Sequence, residues 1–537
     1  MGNVLVVGAG PVGLTMAAEL ARHRIRCRII DRLPEPLPYC RAIGVTPRTL
    51  EVWDDMGIAR TMIDAGLWIE GMRSVVHGRP PTDIRLNLPE LPYAELGLPQ
   101  YETERLLAAH LAGYGIEVER GFNLVGLTQN DCEAIVRLAC DGNEEEAGFR
   151  YIVGCDGAHS AVRQALGIGF PGEAFPMMFM LGDVHIDWDL PRGLSLRALR
   201  LVEGGPPDMF IAVPLPEQGR YRVSMLAPPE LNTAGGSDHG IQAETSGPEL
   251  RDIQSVADSI LPDKPQISDL RWSSTFRISM RLADRYRQGR VFIAGDAAHI
   301  HPPTGGQGMN TGVQDAYNLA WKLALVLKGA APDALLDSYE AERRPVGAEV
   351  VERTKAASIG YGRERGGKPD RLADTQILVS YRESAWVRGD GTDVADSAPA
   401  PGDRAPDVAG LRRHNVGFPL RLFDILRGTD HVLIAHLPGA YVADRFADFA
   451  AFTQVNRAQW NDSCRVVAIV SAEADDLPNV PGIAIYKDAD GGFATAYGGR
   501  KAAFLFRPDG YLGWRGESWR ATGLMDYWNA VFGQKRV

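Results

Sequence analysis

Gly295-Asp-Ala-Ala-His-Ile-His-Pro-Pro-Thr-Gly-Gly-Gln-Gly-Met-Asn-Thr-Gly312 is the stretch from which the fold is read. The apolar run Arg290-Val-Phe-Ile-Ala294 before it has the composition of a buried strand. After it, Ala316, Leu319, Leu323, Val326 and Leu327 recur at helical spacing. An acid at a strand end, a Gly/Pro-rich bend and a helix N-terminus together suit a ribose hydroxyl and a planar anionic ring. The acid accepts the hydroxyl, the glycines admit close backbone approach, and the helix end favours negative charge. A plain strand-turn-helix connection would use the same glycines, so the stretch does not stand alone.

A second glycine cluster opens the chain. The strand Val4-Leu-Val-Val7 runs into Gly8-Ala-Gly10-Pro-Val-Gly13, then into a helix carrying Leu14, Ala17, Ala18 and Ala21. The next strand, Cys27-Arg-Ile-Ile30, ends in Asp31. This is the dinucleotide fingerprint in its full context. Gly8 makes the tight turn, Gly10 lets a pyrophosphate approach, Gly13 lets helix and strand pack, and Asp31 meets a ribose hydroxyl. Arg32 beside it suits either a phosphorylated ribose or plain solvent. A third strand, in Tyr151-Ile-Val-Gly-Cys-Asp156-Gly-Ala-His-Ser160-Ala-Val-Arg163, also ends in an acid, and Ser160 reads as a helix cap.

Together, in this order and spacing, these motifs resemble the FAD-dependent aromatic hydroxylases, single-component flavoprotein monooxygenases of the para-hydroxybenzoate and phenol hydroxylase type. The likeness covers residues 1 to about 355, and the chain's length places it with the longer branch. The implied fold is α/β: a Rossmann-like FAD-binding domain, an inserted mixed β-sheet substrate domain, and a C-terminal thioredoxin-like α/β domain. The expected boundaries are 1–178 for the first part of the FAD domain and 179–277 for the substrate sheet. The second FAD part with its closing helices follows at 278–360, a linker at 361–400, and the C-terminal domain at 401–537.

The resemblance also implies the site. Asp296 would take a ribose or ribityl hydroxyl, with Gly295 before it and Asp156 at the neighbouring strand end. Gly308, Met309 and Asn310 would turn backbone N–H groups toward the pyrimidine end of the flavin. Arg41 would sit near the FAD pyrophosphate or the incoming nicotinamide nucleotide, although a salt bridge with Glu51 is open to it too. Gln100 matches a family glutamine that contacts FAD, and Pro303 would form the wall beside the reacting ring. His299 and His301 suit either phenol deprotonation or bracing of the loop. A metal pair is not expected from them, because nothing nearby completes a ligand set.

The implied activity uses NAD(P)H to reduce FAD and O2 to form a C4a-hydroperoxyflavin, which hydroxylates a phenolic or polycyclic aromatic compound. No separate nicotinamide domain is visible in the sequence. A plain NAD-dependent dehydrogenase would account for Gly8–Asp31 but not for 295–312. A flavin-dependent halogenase lacks support because its Trp-x-Trp-x-Ile-Pro signature is absent. A non-hydroxylating FAD oxidoreductase or a non-catalytic flavin-binding protein keeps the whole pattern and remains the alternative.

The resemblance implies a small aromatic substrate, and composition fits a soluble enzyme. A net charge of −11 argues against nucleic acid and anionic membranes as partners. No apolar run is long enough to span a bilayer, and the first strand begins too early to leave room for a signal peptide. The six cysteines show no metal or CxxC spacing, so a cytoplasmic setting is expected. From Met180 to about Phe276 the apolar pattern has period two, with Val184, Ile186 and Trp188 alternating with Asp183, His185 and Asp187. Met177, Met178 and Met180 suggest ordinary core. Arg343 and Arg344 are expected in structural ion pairs. The C-terminal domain holds only Cys464, which excludes dithiol chemistry there; its expected role is structural, with a homodimer contact as one use.

Overall fold

The computed structural model describes residues 2–38, 40, 42–202, 208–228, 240–241, 247–302, 306–359, 372–389, 398–413, 416–439, 441–460, 463–474 and 477–533. Two compact units are present, the first comprising residues 1–317 and 343–376, the second 318–342 and 377–537.

The first unit is built on two sheets. In one, Val291–Ile293, Asn143–Gly154, Gly2–Val7, Cys27–Asp31 and Val118–Arg120 lie side by side and parallel. Val4, Leu5, Val6, Ile152, Val153, Phe292 and Ile293 are fully buried, as strands covered on both faces require. The helix Pro11–Arg22 follows the first strand with Pro at its first position, where the missing N–H costs nothing.

The second sheet runs in the order Gln266–Leu282, Gly172–Asp187, Arg220–Leu226, Asp208–Pro214, Leu194–Arg200, Gly71–Val76, Thr82–Arg85. It reaches further along the chain than the stretch 179–277 expected to form it. Its long outer strands begin at Gly172 and end at Leu282, and Gly71–Val76 joins it by parallel pairing with Leu194–Arg200. Strand patterning is blind to such long-range pairing. His299–Ile300 of the glycine-rich loop also pairs with this sheet, at Leu282 and Arg281.

The period-two pattern appears as two differently covered faces. Met180, Val184, Ile186, Phe210, Ala212, Val223 and Met225 pack with Ile253, Ala257 and Ile260 of the helix Leu250–Ile260. On the opposite face Phe179, Leu181, Leu199, Met209, Phe276 and Ile278 form a separate apolar cluster. Met180 is therefore ordinary core, whereas Met177 packs on the second face.

In the second unit, His431–Leu437 and Cys464–Ser471 are parallel neighbours, with Ala502–Phe506 and Leu512–Gly516 added antiparallel and the helix Thr522–Phe532 after them. This is the βαβ–ββα order of a thioredoxin-like sheet, and its single cysteine, Cys464, has its thiol pushed up to about 12 by burial. A buried charge network stands where the sequence suggested only a closing helix. Glu342 accepts from Lys322 Nζ at 2.8 Å and from both Nη atoms of Arg507 at 2.8 and 2.9 Å. Arg507 also pairs with Asp509, which accepts from Trp321 Nε1 at 3.1 Å. Burial pushes the Glu342 carboxyl up, but Arg507 and Lys322 overcome this and hold it well below the usual carboxylate range. Among the described residues, no helix is long and apolar enough to cross a membrane.

Removing one partner of such a network leaves buried charge uncompensated. Arg507→Met is expected to lower unfolding free energy by about 3–5 kcal/mol, measured by chemical denaturation at pH 7. Because the Glu342 pKa is depressed on folding, its contribution is present above the ordinary carboxylate value and lost as pH falls below it. The wild type should therefore lose stability below about pH 4.5, more steeply than Glu342→Gln.

Candidate flavin site

Parallel pairing brings the three motifs to one edge. Val7 is level with Gly154 and Ile30, and Gly154 is level with Ile293, so the residues that follow these strands emerge together. Backbone hydrogen bonds continue the alignment past the strand ends: Gly8 N to Ile30 O at 2.8 Å, Cys155 N to Val7 O at 2.7 Å, Ala294 N to Gly154 O at 2.9 Å. In open parallel sheets, ligands bind outside these carboxyl ends.

The first-motif glycines divide by what surrounds them. Gly8 has φ +100°, and a Cβ there would stand 2.4 Å from the Cys155 carbonyl oxygen. A Cβ on Gly13 would stand 1.8 Å from the Gly8 oxygen. Both are required by the fold itself. At Gly10, the N-cap of the helix, a Cβ would meet nothing nearer than Glu104 Oε1 at 4.0 Å. That is the cradle a pyrophosphate needs, a helix N-terminus with space in front of it. Asp31 accepts from Ala9 N at 2.7 Å and from Leu33 N at 2.8 Å, so its carboxylate first shapes the turn. Arg32 is exposed.

Asp156 caps the short helix Ala161–Ala165, accepting from Val162 N at 3.1 Å, while Ser160 accepts from Arg163 N at 2.9 Å as the sequence suggested. Arg163 then crosses to the third motif, donating to the Ala297 carbonyl at 2.9 Å. Asp296 is exposed between buried neighbours on both sides, on the turn Gly295–Ala297.

The residue that organises the third motif is Asp315, which sequence reading missed. Fully buried in the helix Gln307–Leu327, its Oδ2 accepts from Gly295 N at 3.1 Å and lies 2.7 Å from His299 Nε2. Its Oδ1 accepts from Arg343 Nε at 2.7 Å, and Arg343 also donates to the Thr311 carbonyl at 3.0 Å. Burial pushes the Asp315 carboxyl up, but Arg343 and His299 hold it below the ordinary value. The signal in the sequence was the one acid on this helix, with an expected ion-pairing arginine downstream. Arg344, expected to form an ion pair, donates instead to the Ala283 carbonyl at 3.1 Å.

The start of the same helix is tied to the segment after Arg41. Asn310 donates to the Gly44 carbonyl at 2.8 Å and accepts from Thr46 N at 3.0 Å. Gln100 accepts from Ala42 N at 3.0 Å and donates to Glu104 at 2.7 Å. Glu51 is taken by Arg48 at 3.0 Å, in a buried pair. Gly308 and Met309 lie in the helix's first turn, and a Cβ on Gly308 would sit 3.7 Å from His301 Nε2. Arg41 and Pro303 lie outside the described residues. His301 Nδ1 donates to the Pro302 carbonyl at 2.9 Å, and burial pulls its imidazole down to about 4. It is therefore neutral near pH 7. Among the described residues, no group of His, Cys, Asp or Glu is arranged to hold a metal.

Comparison with known proteins agrees with this geometry. Residues 1–354 match the family model for the FAD binding domain, and residues 398–535 match that for the aromatic-ring hydroxylase C-terminal domain. The chain belongs to the FAD-binding aromatic-ring hydroxylases. It is similar to the rifampicin monooxygenase of Streptomyces venezuelae, 39% identical over 528 residues covering 96% of each chain. The pentachlorophenol 4-monooxygenase of Sphingobium chlorophenolicum is 32% identical over 545 residues, covering 95% of this chain and 93% of the relative. Among solved structures, aklavinone-11 hydroxylase in ternary complex with FAD and aklavinone superposes with a TM-score of 0.78 at 26% identity, covering 99% of both chains. This hydroxylase is thus an FAD-dependent aromatic monooxygenase using NAD(P)H and O2.

The contrast between glycines gives a direct test. Gly10→Ala should fold with a melting temperature close to wild type while binding FAD at least about tenfold more weakly, measured by titration of apoprotein. Gly13→Ala should fail to give folded protein, since its methyl would overlap the Gly8 carbonyl.

Proposed function

We propose that this hydroxylase oxygenates a phenolic or polycyclic aromatic compound held between the flavin and the second apolar face of the mixed sheet. The observation that carries this reading is the cluster of Phe179, Leu181, Leu199, Met209, Phe276 and Ile278. Helix Leu250–Ile260 covers only the opposite face. A wide apolar surface built from aliphatic and aromatic side chains suits a flat ring system. Relatives named for their substrates act on pentachlorophenol, rifampicin and aklavinone, which span one ring to several.

FAD, when bound, supplies reduction by NAD(P)H and activation of O2; the protein must position the ring and exclude water. In this reading Gly10 and the first helix N-terminus receive the pyrophosphate, and Asp31 and Asp296 take ribose or ribityl hydroxyls. Asp156 and Gly295 shape the same edge. Backbone N–H groups of Gly308, Met309 and Asn310 would face the pyrimidine end, Gln100 holds the backbone at Ala42, and Arg41 would meet the pyrophosphate or the nicotinamide nucleotide. Pro303 is the wall beside the reacting ring. His299, with Nε2 committed to Asp315, braces the loop rather than moving a proton. A cytoplasmic homodimer fits the free cysteines and the acidic charge.

The test is NAD(P)H oxidation by FAD-loaded protein across phenols, from hydroxybenzoates to multi-ring quinols, with mass spectrometry of each product. A phenol that accelerates oxidation and gains one oxygen is the expected result. If every phenol leaves the rate at its background value, or accelerates it without gaining oxygen, the assignment of a phenolic substrate fails.

A further inference from the structure

The second face of the mixed sheet does not stay apolar along its whole length. On the strand Gly172–Asp187, Phe179 and Leu181 belong to the apolar cluster, and the two-residue repeat puts Asp183 next on the same face. Register places Asp183 directly across from Arg222 on one side and Trp272 on the other. It is only 4% exposed, so the alternation read in the sequence does not put this acid in solvent.

Its partners do not satisfy it. Oδ1 receives no hydrogen bond among the described residues, and the nearest cation, Arg220, stands 3.6 Å away. Arg220 is itself drawn off by Asp269, donating to both its side chain and its carbonyl, and it also faces Glu217 at 3.9 Å. Arg271, on the neighbouring strand, pairs with Glu217 at 2.6 Å. Arg222 donates to the Cys40 carbonyl at 2.8 Å, close to the turn that Gln100 holds. A buried carboxylate with an unfilled acceptor is costly unless a donor is supplied. The sheet provides arginines on one side of it and an apolar ring-binding surface on the other.

We propose that the carboxylate of Asp183 is the hydrogen-bond acceptor for a hydroxyl group of the aromatic substrate, at the polar end of the apolar sheet face. The substrate is then a flat aromatic whose free hydroxyl is read at the end of the sheet where Arg222 meets the Cys40 carbonyl. A methyl ether at that position loses the donor and leaves the acid unpaired. The inference rests on this sheet face lining the substrate site, as proposed above.

The test compares FAD-loaded wild type, Asp183→Ala and Asp183→Asn, titrated with 2-hydroxyanthraquinone and 2-methoxyanthraquinone and followed by flavin absorbance and fluorescence. Wild type is expected to bind the hydroxyl probe at least about tenfold more tightly than the ether. In Asp183→Ala the two affinities should come within about twofold, with Asp183→Asn between, because its amide oxygen still accepts. Thermal melting reports whether each variant folds, and should Asp183→Ala not fold, a drop in preference of about threefold or more in Asp183→Asn carries the test. A wild type without preference, or a preference that survives in the folded variants, overturns the proposal. Oxygen incorporation into the hydroxyl probe is scored separately. A preference that depends on Asp183 without incorporation upholds the anchor while the hydroxylation reading fails; incorporation with a preference indifferent to Asp183 does the reverse.

Discussion

The buried carboxylate of Asp315 is the interaction on which the flavin site depends. One oxygen holds the Gly295 amide and meets His299, while the other is neutralised by Arg343. Four parts of the chain, the strand end, the loop after it, the helix Gln307–Leu327 and the helix Asp337–Ile359, are thereby fixed to a single side chain. The acid sits in a low-dielectric interior, where an unpaired charge would be far more costly than on the surface, so geometry and charge state support each other. With the loop held from within, Asp296 is turned outward among buried neighbours.

The same loop also connects the parallel sheet to the mixed sheet. His299–Ile300 pairs with the strand Gln266–Leu282, whose Phe276 and Ile278 lie on the apolar face. Asn310 ties the helix start to residues 44–46, and Gln100 ties the preceding turn to the helix Gln100–Ala112. Rigid elements thus meet at the place where ring, flavin and oxygen must be held in register, which is what positioning chemistry requires.

Much of this was legible in the sequence because it rests on local rules. The strand-turn-helix at Gly8–Gly13, the strand-end acids Asp31 and Asp156, and the Ser160 cap all follow from spacing and turn chemistry. What escaped depends on contacts distant in sequence. Asp315 meets Gly295 and Arg343 only after folding, and Gly71–Val76 enters the mixed sheet by pairing more than a hundred residues away. Asp183 looked like the solvent half of an alternating strand, although it is buried at the end of an apolar sheet face. In the second unit, Glu342 and Arg507 are far apart in the sequence, and nothing local shows that they meet.

The most direct measurement is FAD affinity of apoprotein, by fluorescence titration, for wild type and Asp315→Asn. The amide keeps the shape but lacks the charge that balances Arg343 and receives Gly295 and His299. The account expects folded protein with FAD bound at least about tenfold more weakly. Unchanged FAD affinity in a folded Asp315→Asn variant would contradict the claim that this carboxylate organises the site.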